Sequence, residues 1–134
     1  MATACAVCEL IEHCGHRARI ARLPSGSALL DLDRSERGRA LRVDHAHLQS
    51  VPALDSVFCS QSFADMRALS RPVGEAVGAV RLNHALLSNV LAHLHWHVIP
   101  RFRDDPISRS PPWPVECAPL RRATDDPALA GAIA

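Results

Sequence analysis

Apolar positions along the chain change period more than once, and each change marks an element. Ser27 to Asp33 reads Ser-Ala-Leu-Leu-Asp-Leu-Asp and alternates towards its end, the period-two pattern of a strand. Arg34 to Gly38 is a charged connection closed by glycine, and Arg39 to Val43 alternates again, so these two segments are expected to pair as a hairpin with a longer loop. From Asp55 to Val80 the spacing lengthens. Phe63, Met66, Leu69, Val73 and Val77 recur at intervals of three and four, which is one face of a helix. Pro72 inside this run is expected to end, kink or restart the helix. Arg81 to Leu87 and Ala92 to Ile99 read as two further strands, the second closed by Pro100. A short helical turn is expected over Glu9 to His13, and no internal repeat is found. The order strand, strand, helix, strand, strand favours an α+β domain with an antiparallel sheet.

Composition narrows the class. The chain has 134 residues, about one domain, of which 48% are hydrophobic and 22% charged. Such a balance excludes a wholly disordered or collagen-like chain. A formal net charge of +1 gives no case for a nucleic-acid-coating or polybasic membrane protein. Lysine is absent, so any phosphate clamp must be built from arginine. No apolar run approaches the ~18 residues of a spanning helix. The first basic residue, Arg17, comes too late for the charged start of a signal peptide. A soluble, cytoplasmic protein is expected. Five cysteines, an odd number in such a chain, argue against a disulfide framework. After Asp104 the chain carries Pro106, Pro111, Pro112, Pro114 and Pro119. The expected division is therefore one domain over residues 1–106 and an extended Pro-rich tail over 107–134.

Chemistry concentrates in residues 93 to 101, His-Leu-His-Trp-His-Val-Ile-Pro-Arg. In a strand, His93, His95 and His97 share one face while Leu94, Trp96 and Val98 share the other, with successive imidazoles ~6–7 Å apart. The apolar face can pack on the helix and leave the histidines to a pocket. Three readings compete: an outward polar strand face, a metal site of neutral imidazoles, or catalysis with one histidine as nucleophile. Strict alternation without serine or threonine in the row weighs against the first. At the N-terminus, Cys5-Ala6-Val7-Cys8 has the spacing of a zinc-binding thiolate pair, which needs two more ligands. Cys14 with His16 is the local source of ligands, and a reduced cysteine pair without metal is the simpler reading. A thioredoxin-like role fits less well, because no βαβ pattern surrounds the pair. Cys59 and Cys117 read as a helix and a tail residue, and His84 as an outward strand residue.

The row His93-Leu94-His95-Trp96-His97-Val98-Ile99 resembles the signature of the histidine triad superfamily of nucleotide hydrolases and transferases. With Pro100-Arg101-Phe102-Arg103-Asp104-Asp105-Pro106 it is similar to a bacterial group often labelled diadenosine tetraphosphate hydrolase-like. Leu30-Asp31-Leu32, Gly38, and His47 sixteen positions after Asp31 resemble the first half of the family, and Cys5 and Cys8 match the pair that opens its zinc-containing members. The resemblance covers roughly residues 5 to 106, leaving Pro112-Trp113-Pro114 outside it.

The resemblance implies an α+β fold of about five antiparallel strands with one long packed helix, and a two-fold homodimer. It implies that His95 attacks the α-phosphorus of a dinucleoside polyphosphate, nucleoside phosphoramidate or similar conjugate, forming a nucleotidyl-histidine that water releases. His97 would donate to phosphate oxygen, His93 would support its neighbour, Asp31 would accept from ribose hydroxyls, and Asn89 falls where relatives have a glutamine contacting phosphate. Structural zinc would sit on Cys5, Cys8, His47 and His93, with His45 as the substitute for His47, and would take no part in the chemical step. The chain departs from the family's pattern at Gly38-Arg39 for Gly-His, at Asp44-His45 for Pro-Lys, and at Ser88 for glycine. Two alternatives follow: a nucleotide-binding protein that turns over poorly, and a metalloprotein that uses the histidine row as ligands.

Overall fold

The computed structural model describes residues 5–13, 19–31 and 37–105. The tail over 107–134, with Cys117 and Pro112-Trp113-Pro114, lies outside the described residues, as do Cys14, His16 and Asp33. The elements are α1 (Ala6–His13), β1 (Arg19–Arg22), β2 (Gly26–Leu30), β3 (Ala40–Asp44), a 3-10 turn (Val51–Ala53), α2 (Ser56–Val77), β4 (Arg81–Leu86) and β5 (His95–Arg101). The five strands form one sheet in the order β1-β2-β3-β5-β4, and every neighbouring pair is antiparallel. The expected α+β class and five-stranded sheet are found. β1 is the strand that the hydrophobic pattern missed, because Arg-Ile-Ala-Arg is too short and too charged to register. No described helix is long and apolar enough to cross a membrane.

The expected hairpin forms between β2 and β3, with Ala28 opposite Arg42 and Leu30 opposite Ala40. β3 then pairs with β5 so that Ala40 faces Val98 and Leu41 faces His97. Since side chains alternate across a strand, these registers sort the residues between two faces. Ala28, Ala40 and Val98 meet Met66, Leu69 and Val73 of α2, with Trp96 and Leu82 at the border. Leu29 and Val43 on the opposite face meet Val7 of α1, with Leu10, Ile11 and Leu41 around them. Neither helix covers β5 beside His95 and His97, so a gap is left there on the α1 side.

Helix α2 runs unbroken from Ser56 to Val77, with Pro72 inside it. The expected break does not occur. Proline removes the bond to the carbonyl four residues earlier, and that residue, Ala68, is exposed, so water can serve the freed group. The ends are capped: the Asp55 carboxylate accepts from Phe58 N at 2.8 Å, and Gly78 takes the left-handed conformation at φ 68°. Met66, Leu69 and Val73 are buried as expected, but Phe63 is 52% exposed and packs edge-on against Trp96. Ser62 and Asp65 take the inner places instead.

Those two polar residues face a buried arginine. Arg42 lies on the helix side of β3 and is 0% exposed. Its guanidinium donates to Ser62 Oγ at 2.9 Å, to Asp44 and to Ser25 Oγ, and lies 3.7 Å from Asp65 Oδ2. Asp65 also accepts from Ser25 N at 2.8 Å, Ser25 Oγ at 2.6 Å and Gln61 at 2.9 Å. Burial alone would raise the Asp65 pKa, but the Ser25 and Gln61 hydrogen bonds and the Arg42 charge bring it below its ordinary value. Gly26 makes the room: a Cβ there would collide with the Val43 carbonyl and lie 3.1 Å from the guanidinium carbon.

Breaking one side of a buried ion pair strands the other charge. Asp65→Ala is expected to lower unfolding free energy by about 3 kcal/mol in urea titration. Replacing Arg42 and Asp65 together by Met and Leu is expected to cost less than Asp65→Ala alone.

Candidate active site and metal centre

The histidine row divides where β5 begins. The strand starts at His95, not at Ala92 as expected, and it runs through Pro100 to Arg101. His93 therefore precedes the strand, in a segment held by the bonds His93 N to Leu91 O at 2.8 Å and Leu94 N to Leu48 O at 2.7 Å. Its ring stays on the α1 side but reaches the cysteines, whereas those of His95 and His97 line a cavity, so the three histidines do not share one pocket.

His93 is fully buried, and its Nε2–H donates to the Asp44 carbonyl at 2.8 Å. A carbonyl can only accept, so the Nδ1 lone pair is aimed the other way, at the cysteines. Nδ1 lies 3.6 Å from Cys5 Sγ and 3.5 Å from Cys8 Sγ, while His47 Nδ1 lies 3.5 Å from Cys8 Sγ. The four ligand atoms all fall within 4.8 Å of one another, the one such group among the described residues. Tetrahedral zinc at ordinary Zn–S and Zn–N lengths sets sulfur and nitrogen about 3.5 Å apart, so these separations fit the ion. A carbonyl that orients a ligating imidazole through its far nitrogen is the usual support of such a centre. Cys5 stands just before α1, where the Cys8 backbone N–H lowers its thiol pKa, while burial raises that of Cys8. His45 lies apart from the cluster, with Nε2 3.1 Å from Ser27 Oγ.

His95 and His97 are both buried, their ring centroids 4.8 Å apart and nearly edge-on. They line a cavity of about 420 Å³ with Arg39, Leu87, Ser88, Asn89, Val90 and Leu91. His95 Nδ1 lies 2.7 Å from the His93 carbonyl, so Nδ1 carries the proton and the neutral ring has its lone pair on Nε2. Arg39 Nη2 donates to His97 Nδ1 at 3.1 Å, which assigns the opposite tautomer: the His97 proton is on Nε2. Burial, then the neighbouring charges of His95 and Arg39, push the His97 pKa down to about 4, against a smaller upward pull from Asp31.

Asn89 stands in the cavity wall, and Ser88 beside it has φ 50°. Glycine is the ordinary occupant of that left-handed region. Asp31 is beside the site, but its Oδ2 lies 2.9 Å from Arg39 Nε. Arg39 itself was visible in the sequence only as a departure from Gly-His. Leu87 and Val90 carried no signal. The end of the motif closes β5: Arg101 donates to Asp105 at 2.6 Å and to Asn83 at 2.9 Å, and Arg37 stacks 5.3 Å above Phe102. Among the described residues His84 has no part in this cavity and pairs with Ser70 Oγ at 2.8 Å.

No protein-family model and no curated protein matches the chain. Solved structures do match. The chain is similar to a member of the HIT family from Bacillus subtilis, with 20% identity and a TM-score of 0.75 over 98% of this chain and 95% of that one. It is similar to the histidine triad protein blr8122 from Bradyrhizobium japonicum, at 25% identity and a TM-score of 0.63 over 86% of each chain. A Zn-bound histidine triad family protein from Mycobacterium smegmatis matches at 22% identity and a TM-score of 0.68, over 82% of this chain and 84% of that one. The fold is that of the histidine triad proteins. The triad motif of this chain stands at the start of the strand β5, two of its rings in the cavity and one in the cysteine cluster.

A histidine whose folded pKa is depressed binds fewer protons than in the unfolded chain, so stability falls as pH drops through the interval between the two values. For His97 that interval runs from about 6.5 down to about 4. The loss is expected to approach about 3 kcal/mol at its acid end. Urea titrations at pH 7 and pH 4 check this, with His97→Asn showing a correspondingly smaller difference.

Proposed function

We propose that the protein is a histidine triad nucleotide hydrolase or nucleotidyl transferase in which His95 is the nucleophile. One observation carries the reading: the His93 carbonyl accepts a hydrogen bond from His95 Nδ1–H, so the lone pair of the neutral ring is on Nε2 in a cavity of nucleotide-fragment size. Nε2 attacks the α-phosphorus, a P–N bond forms, and the P–O or P–N bond to the leaving group breaks with its electron pair. Water then cleaves the nucleotidyl-histidine and releases the nucleoside monophosphate, so one difficult displacement becomes two easier ones. His97, with its proton on Nε2, donates to phosphate oxygen as charge builds there. Asn89 adds a donor from the wall, and Asp31 reaches for the sugar from beside Arg39. His93 acts on the reaction through its carbonyl, by fixing the tautomer and the tilt of His95. Substrates of the class are dinucleoside polyphosphates, nucleoside phosphoramidates and related conjugates.

The cysteine cluster serves a structural zinc ion held by Cys5, Cys8, His47 and His93. When bound, the ion joins α1 to the segment that enters β5. The division of the row weighs against the reading in which all three histidines are metal ligands, because His95 and His97 are not in the cluster.

Two experiments test these assignments. Incubation with α-phosphate-labelled diadenosine tetraphosphate, followed by rapid quench and intact-mass analysis, is expected to show one nucleotidyl adduct that His95→Ala lacks. No adduct and no nucleoside monophosphate, across several nucleotide substrates, would replace the enzyme by a nucleotide-binding protein. For the metal, elemental analysis is expected to find one zinc per chain in wild type and His95→Ala and little in Cys8→Ser, whose melting temperature also falls. Zinc lost with His95→Ala would instead make the histidine row the metal site.

A further inference from the structure

Arg39 is buried just before β3, and its guanidinium is engaged on two sides. Nε lies 2.9 Å from Asp31 Oδ2, and Nη2 donates to His97 Nδ1 at 3.1 Å. The backbones of the two residues are tied as well, Asp31 N donating to the Arg39 carbonyl at 3.0 Å. A guanidinium is planar, stays charged and has donors only, so an imidazole nitrogen facing it must present a lone pair. Imidazole in water populates both tautomers. Beside Arg39, only the form with the proton on Nε2 keeps its hydrogen bond.

Tautomer decides what the ring can do for a phosphate. With the proton on Nε2 the nitrogen away from Arg39 is a donor, and with the proton on Nδ1 it would turn a lone pair towards an anion. The ion pair with Asp31 holds the guanidinium on the side from which Nη2 reaches His97. Lysine could supply the charge but not two fixed directions.

We propose that Arg39 is a positioning residue: braced by Asp31, it holds His97 as the Nε2–H tautomer that donates to the phosphate of the substrate. The assignment deepens the nucleotidyl-transfer reading and rests on it for its catalytic consequence. Part of the Asp31 carboxylate is committed to Arg39, so a sugar hydroxyl at this site shares that acceptor with the guanidinium.

The test separates the tautomer from turnover. Nitrogen-15 NMR of histidine-labelled, ligand-free protein reads the state of each ring nitrogen at pH 7. Wild type is expected to show His97 as one tautomer, protonated at Nε2. Arg39→Met is expected to show both tautomers in exchange, and Asp31→Asn, which keeps the guanidinium but loosens its brace, an intermediate shift. Asp31→Asn also decides the matter if Arg39→Met does not fold. In turnover of diadenosine tetraphosphate, Arg39→Met is expected to lose about a hundredfold in kcat, the scale of one proton donor, with a much smaller change in KM. Arg39→Lys is expected to recover part of that loss. An unchanged His97 tautomer in both Arg39→Met and Asp31→Asn overturns the proposal, as does a loss confined to KM. A wild type that forms no nucleotidyl adduct while its His97 tautomer still depends on Arg39 overturns the nucleotidyl reading alone and supports the positioning role.

Discussion

Ser62 fixes the height of the whole site. Its hydroxyl oxygen accepts from Arg42 on β3 at 2.9 Å and from the Trp96 indole on β5 at 3.3 Å. Arg42 and Trp96 are register partners, so one helical residue reads two adjacent strands at the same level. Hydrophobic burial would hold α2 against the sheet but is non-directional and would tolerate sliding. A buried guanidinium with its own set of oxygens does not, because each displaced bond leaves a charge without a partner. Trp96 lies between His95 and His97 in sequence. The contact that fixes the helix on one face therefore also fixes the rings on the other.

The two faces of β5 then meet different demands. Val98 and Trp96 turn to the helix, and the Trp96 ring is shielded by Phe63. His95 and His97 turn to a side where α1 covers β2 and β3 and stops short. The resulting cavity lies beside the eight-residue helix and is walled by Arg39 and by residues 87–91 of the connection between β4 and β5. Ser88 at φ 50° bends the incoming chain so that Asn89 to Leu91 complete the wall. Backbone strain at that residue is consistent with a segment shaped by its site and not by its own preference.

Much of this was legible in the chain because it is local. The β2–β3 hairpin, the α2 face and the alternation of β5 are short-period patterns, and each was found close to its expected place. What was not legible depends on partners far apart. Arg42 sits in an alternating strand, where an arginine ordinarily reads as facing water. Only Ser25, Ser62 and Asp65, supplied by two other segments, make its burial possible. Phe63 fits the helical period yet lies outside the core, since Ser62 and Asp65 occupy the inner positions that the arginine requires. The cysteine cluster joins residues 39 and 85 positions apart. Spacing alone therefore offered only the Cys-x-x-Cys half, and the two histidines came from resemblance. The early end of the histidine row has the same origin: His93 leaves the strand pattern because its ring is claimed by the cysteines and by the Asp44 carbonyl.

That claim makes His93 a joint between two centres. Its ring belongs to the cysteine cluster, and its carbonyl accepts a hydrogen bond from His95 Nδ1–H. The residue whose ring is held by the cluster is thus the one whose backbone orients the proposed nucleophile. A three-residue histidine row on one regular strand could not do this, since alternate side chains would share one environment. Ending the strand at His95 lets one short motif contribute to the cysteine cluster and to the cavity at once. On the other side of the pair, Arg39 opposes His97 in the way that the His93 carbonyl opposes His95. The acceptor leaves a lone pair on His95 Nε2, and the donor leaves a proton on His97 Nε2. Neighbouring imidazoles thus receive opposite tautomers from fixed groups.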